Sequence, residues 1–143
     1  MPTSDYSVQL RRAILTILKA DAKIAAATGG RVYSETPTAI PAWPFIRFGF
    51  AIGTPEEWSC AEGANVSFTV NVFSKAAGTD ECARITRLVC AVLDKRQITL
   101  EIDTDTAKQA GAYLLVTQTQ IMRDGAEAEA HHGVVSFEAV VSG

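Results

Sequence analysis

The residues of this chain that could do chemistry are few and poorly spaced for it. His131 and His132 are the only histidines. Adjacent strand residues point to opposite faces, so a regular strand does not let the pair grip one metal ion, and a surface pair entering a strand is expected. Asp103 and Asp105, near Glu101, could seat a cation, but Asp-x-Asp without the glycine and closing glutamate of a calcium loop reads as a solvated turn. Glu56 and Glu57 are sequence neighbours with no histidine nearby to complete an acid and base pair, so they read as loop charge. Cys60 has neither a helix N-terminus nor a cation evident beside it to lower its pKa, and reads as an inert thiol rather than a nucleophile. Gly29-Gly30-Arg31 lacks the spaced glycines of a phosphate loop and precedes a strand, which makes it a turn. No catalytic, cofactor-binding or metal-binding residue is expected.

The bulk properties narrow the partners. A chain of 143 residues fits a single domain, residues 1–143, that buries roughly two thirds of its unfolded surface. The net charge of −3 gives no overall attraction to nucleic acid or to anionic lipid, so direct DNA binding is disfavoured. No apolar run approaches the roughly 20 residues of a membrane span. The opening Pro2-Thr3-Ser4-Asp5 is not a basic segment followed by an apolar one, and the chain is expected to stay in the cytosol. Cys60, Cys82 and Cys90 are odd in number. On one helix Cys82 and Cys90 would stand about 12 Å apart along the axis, too far to bridge, so the cysteines read as reduced thiols.

The elements that must position any site are clearer than the site. Leu10, Ile14, Ile17 and Leu18 form the apolar stripe of a first helix, capped by Ser4 or Asp5. Asp21 can cap a short helical stretch through Ile24 to Thr28, ended by Gly29. Arg31 to Glu35 reads as a short strand, and Thr36 to Pro44, with three prolines, as a loop. Ile46, Phe48, Phe50 and Ile52 share one face of a strand running from Phe45. From Ala64 to Ser74 the alternation is nearly perfect: Val66, Phe68, Val70 and Val72 on one face, Asn65, Ser67, Thr69 and Asn71 on the other. The period then switches from 2 to 3.6, and Cys82, Ile85, Leu88, Val89, Val92 and Leu93 form the stripe of a second long helix. Ile98, Leu100 and Ile102 alternate again, Thr104 to Gly111 breaks the pattern, and strands follow over Ala112 to Met122 and around Val135 to Val141. Between the last two lies an acidic loop, Gly125-Ala126-Glu127-Ala128-Glu129-Ala130. The fold class is α+β: a mainly antiparallel β-sheet packed against two main helices.

Two large rings fall where a sheet-and-helix core would not easily bury them. Trp43 lies between Pro41 and Pro44, and Trp58 lies with Glu56 and Glu57 in the glycine-bounded stretch Gly53 to Gly63. Tryptophan is a common interface anchor, so Trp43, Glu56, Glu57 and Trp58 are the candidate interface residues. The alternative is that each ring folds back over an open end of the sheet. An enzyme or ligand-binding domain would carry polar residues among the inward strand positions, and the clear strands carry valine and phenylalanine there.

In sequence order, several landmarks form a larger pattern: Ala25-Ala26-Ala27-Thr28-Gly29-Gly30-Arg31-Val32-Tyr33, then Ile40-Pro41-Ala42-Trp43-Pro44-Phe45-Ile46, then Phe68-Thr69-Val70-Asn71-Val72-Phe73-Ser74. The helix with Ala83, Val89 and Leu93 follows, and the chain closes with Met122-Arg123-Asp124 and His132-Gly133-Val134-Val135-Ser136-Phe137. Together these resemble the tail completion, or tail terminator, proteins of long-tailed bacteriophages and gene transfer agents, over nearly the whole chain. The resemblance implies a structural protein of the virion tail, assembled in the host cytoplasm. Its implied form is a homo-oligomeric ring, typically a hexamer, on the head-proximal end of the tail tube. There it would stop tube growth and join the head through a head-tail connector protein, with the tail tube protein as its other partner. The resemblance brings no catalytic residues and no cofactor. A head-tail adaptor or a tail tube subunit is the alternative within the same setting; adaptors are often largely helical, and this chain is not.

Overall fold

The computed structural model describes residues 7–34, 42–50, 63–75, 79–103, 108–123 and 130–142. Its helices are α1 (Ser7–Ala20), α2 (Ala22–Thr28) and α3 (Asp80–Leu93), and its strands are β1 (Val32–Tyr33), β2 (Phe45–Phe50), β3 (Gly63–Ser74), β4 (Arg96–Asp103), β5 (Lys108–Arg123) and β6 (His131–Ser142). Among the described residues the strands form one six-stranded sheet in the order β1-β2-β3-β6-β5-β4.

The α+β class stands, with two corrections. The sheet is mixed, because β1 runs parallel to β2, placing Val32 opposite Ile46, while the other pairings are antiparallel. Periodicity reports which residues share a face and is blind to the direction of the neighbouring strand. The helical layer also has a third member, α2, packed against both α1 and α3. Local chemistry fixes its ends: the Asp21 carboxylate accepts from the Ile24 N–H at 3.0 Å, and Gly29 closes it with φ +66° in the left-handed region.

Helix α1 presents Leu10, Ile14 and Leu18 to the sheet, all fully buried. Cys82, Ile85, Val89 and Leu93 of α3 do the same. Leu88, expected on that inward stripe, is only partly buried at its flank, because successive 100° steps centre the buried line on positions 82, 85, 86, 89 and 93. On the sheet, Val66, Phe68, Val70 and Val72 of β3 lie opposite Ala139, Phe137, Val135 and Gly133 of β6. Phe68 stacks between Phe48 and Phe137, with ring centroids 5.3 and 5.0 Å away. Burying one such side chain contributes about 1.5–3 kcal/mol, so this aromatic row anchors the middle of the sheet beneath the helices.

Strand β5 begins at Lys108, earlier than the pattern suggested, and pairs with β4 from there. Its first inward residues are Ala110 and Ala112, which give a weak apolar signal in sequence. A bulge between Val116 and Gln118 then shifts its register against β6. Val116 lies opposite Phe137 on the helix side, and Gln118 lies opposite Ser136 on the other. The Val116 N–H at the bulge donates to the Asp94 carboxylate at 2.9 Å.

Candidate functional site: an aromatic and cationic cluster on the open face

The face of the sheet turned away from the helices is polar along the middle of β3, where Ser67, Thr69 and Asn71 alternate outward. At one end it becomes aromatic. Register places Phe45 of β2, Phe73 of β3, His132 of β6 and Met122 of β5 in one row across four strands. Phe45 and Phe73 stack at 4.8 Å, and Phe73 and His132 stack at 4.4 Å. Trp43, just before β2, packs edge-on against Phe45 at 5.1 Å and Phe73 at 6.2 Å, while Tyr33 meets Phe45 at 5.9 Å. Phe45 and Phe73 are therefore buried although they point away from the helices.

Cations close the cluster. The Lys75 ammonium stands 5.0 Å from the Trp43 ring and the Arg47 guanidinium 5.1 Å from the Phe73 ring, geometries in which ring quadrupoles attract positive charge. Arg31 fixes the approach of Trp43: its Nε donates to the Pro44 carbonyl at 3.0 Å and its Nη2 to the Trp43 carbonyl at 3.1 Å. The Gly-Gly pair serves this geometry. A Cβ on Gly29 would stand 2.6 Å from Arg31 Nη1, so glycine there supplies both the positive φ and the room for the guanidinium. The turn reading of Gly29-Gly30-Arg31 holds; sequence reasoning missed the role of Arg31, because its partners lie more than ten residues away.

A hydrogen-bonded chain fixes the His132 ring. Asn71 Nδ2 donates to the Arg47 carbonyl at 3.2 Å, which turns Asn71 Oδ1 toward His132 Nε2 at 2.9 Å. A proton on Nε2 would complete this contact. His131 and His132 do point to opposite faces, but they are not a surface pair: His131 is buried on the helix side opposite Ser74, and His132 is half-buried. Entry into a strand means entry between β3 and β5, whose flanks cover both rings.

Trp43 is half-buried, and its Nε1 has no hydrogen-bond partner among the described residues. Glu56, Glu57, Trp58, Cys60 and Asp105 lie outside the described residues, as does the side chain of Asp103. Burial pushes the thiols of Cys82 and Cys90 above their ordinary value, with Glu81 and Asp94 adding to the effect and hydrogen bonds to Cys82 opposing it. Both are free, protonated thiols. Among the described residues no group of three or more His, Cys, Asp or Glu comes together to hold a metal ion, and no helix is long and apolar enough to cross a membrane. What the described residues form here is a packed cluster: Phe45 and Phe73 are covered, Arg47 and Lys75 lie over the Phe73 and Trp43 rings, and Trp43 and His132 remain half-buried at its surface.

A sequence model of the family described as tail completion protein gp17 matches residues 12–142. A chain from the virion of a native gene transfer agent particle shares the fold with TM-score 0.80 and 22% identity, covering 99% of this chain and 100% of that one. A second solved chain aligns at TM-score 0.57 and 13% identity over 94% of this chain and 96% of its own. No curated protein matches by sequence.

Proposed function

The chain belongs to the tail completion protein gp17 family and is a structural protein of phage-type tails; from that premise we propose that it forms a closed ring at the head-proximal end of the tail tube. The ring, a hexamer as the resemblance implies, stops tube growth and gives the head-tail connector its landing surface. The protein works as one domain, without catalysis or cofactor, in the virion tail after assembly in the host cytoplasm. The carrying observation is the family match over residues 12–142.

The physical parts suit the role. Ring closure repeats one heterologous contact, a different patch on each side of the subunit. The sheet has two unlike edges, β1 with β2 at one side and β4 with the far half of β5 at the other. Trp43 and the row that continues to the exposed Met122 form the described part of the contact surface. Glu56, Glu57 and Trp58 are proposed as further contact residues from the sequence alone.

Native mass spectrometry of the purified protein, with electron microscopy of the protein alone and mixed with cognate tail tubes, tests the proposal. Rings, free or capping tube ends, are expected. A protein that stays monomeric and never caps a tube overturns it.

A further inference from the structure

Strand β4 covers β5 only from Lys108 to Leu114. Just past it the Lys95 N–H donates to the Leu114 carbonyl at 2.8 Å and the Asp94 carboxylate takes the Val116 N–H, and there the cover ends. From Gln118 to Arg123 the inner side of β5 still pairs with β6. On its outer side, among the described residues, lies no strand and no backbone hydrogen bond. Residues 117–122 are all exposed, Ile121 and Met122 at 38% each.

Proteins blunt such edges with charge, proline or a covering element. Strand β4 has two of these devices, the charged Arg96 and Glu101 along its length and α1 packed beside it. The stretch Thr117-Gln118-Thr119-Gln120-Ile121-Met122 has no charge and no proline, and it carries β-branched residues at 117, 119 and 121. A row of free N–H and C=O groups with those side chains accepts another extended strand. The opposite edge of the sheet is a poor match for it: among the described residues it ends in the two-residue β1, whose Val32 N–H is already given to the Gly30 carbonyl.

The stretch matches itself. Like charges directly opposite one another destabilise a strand pair, and a segment without charge meets its own copy free of that cost. When two copies of one edge pair antiparallel, the twofold axis stands perpendicular to the sheet and opposed residues share a face. Gln120 is the midpoint between the bulge at Thr117 and the strand end at Arg123, so an axis there pairs the whole free stretch. It sets Gln120 against its own copy and Gln118 against Met122 on the open face, and the β-branched Thr119 against Ile121 on the helix face.

We infer that the outer edge of β5 from Gln118 to Met122 pairs antiparallel with the same edge of a second copy, about a twofold axis at Gln120. The contact is isologous and closes at two copies. It stands independently of the ring reading, and between rings it joins one ring to another.

Cysteine cross-linking tests the register, in a background with Cys60 and Cys90 replaced by serine and the buried Cys82 kept. Directly opposed Cα atoms of an antiparallel pair stand about 4.5–5.5 Å apart, within reach of a disulfide. In a glutathione redox buffer Gln120→Cys should cross-link to itself about tenfold or more faster than Gln118→Cys, whose two copies would lie roughly 13 Å apart. An equimolar mixture of Gln118→Cys and Met122→Cys should give the mixed dimer. By sedimentation at high concentration, Gln120→Lys and Gln120→Glu, each melting like wild type, should associate less than wild type when alone and regain association when mixed. Equal cross-linking rates for Gln120→Cys and Gln118→Cys overturn the inference, as does association of Gln120→Lys alone that matches wild type.

Discussion

Gly133 of β6 lies directly beneath Thr86 of α3: a Cβ built on this glycine would collide with the Thr86 hydroxyl and stand 3.1 Å from Cys82 Sγ. The missing side chain lets the helix settle on the sheet here, and Cys82 Sγ comes to 4.0 Å from the Val72 carbonyl. Gly133→Ala should therefore overpack the contact and cost about 1–3 kcal/mol. Thr86→Ala in the same chain removes the colliding oxygen and should recover part of the loss. Urea melts of the single and double variants check this; additive losses would show that the contact is not the cause.

The α3 stripe can be graded by burial. Leu93→Ala, at a fully buried position, should cost about 2–5 kcal/mol, and Leu88→Ala, on the partly buried flank, clearly less. Equal melts for the two variants would mean that the helix is rotated or that its flank is covered by a partner.

Arg31→Lys keeps the charge and loses the fork that reaches two carbonyls. A loss of about 1–3 kcal/mol is expected, from freeing two carbonyls held by a charged donor. Trp43 emission, followed in a Trp58→Phe background, should shift to longer wavelength as the ring loosens. Unchanged emission would place the hold on Trp43 in its ring contacts alone.

The two tryptophans should separate stability from assembly. Trp43→Ala removes the cover over Phe45 and Phe73 and should lower the melting temperature. Trp58→Ala should melt like wild type while forming fewer rings or capping fewer tubes, because loss of an interface anchor costs about 2 kcal/mol or more at each contact. Early melting of the Trp58 variant, or its full assembly, refutes that role.

Burial holds the Cys82 thiol in its neutral form, so its pKa in the folded chain is raised from the ordinary 9.0. The folded state then keeps a proton that the unfolded state has released. This contribution to stability is complete below pH 9.0 and declines as pH rises past that value. Cys82→Ala should melt with a shallower decline on the alkaline side than wild type. Matching slopes would show that the thiol titrates alike in both states.

By itself the sequence determined the period of each element, and with it the α+β class, the inward face of β3, the caps at Asp21 and Gly29, and the family. All but the family depend on residues close together in the chain, where spacing and side-chain type act without help from distant contacts; the family rests on the order of landmarks along nearly the whole chain. Tertiary structure decided the rest. The parallel β1–β2 pair, the bulge at Val116, the stacking of His132 on Phe73 and the reach of Arg31 to the Trp43 carbonyl each join segments far apart in sequence. Phe45 and Phe73 read as ordinary strand residues until β2 and β3 lie in register. Only then do the two rings stack, and the outward face, which alternation alone marks as wet, closes over at that end.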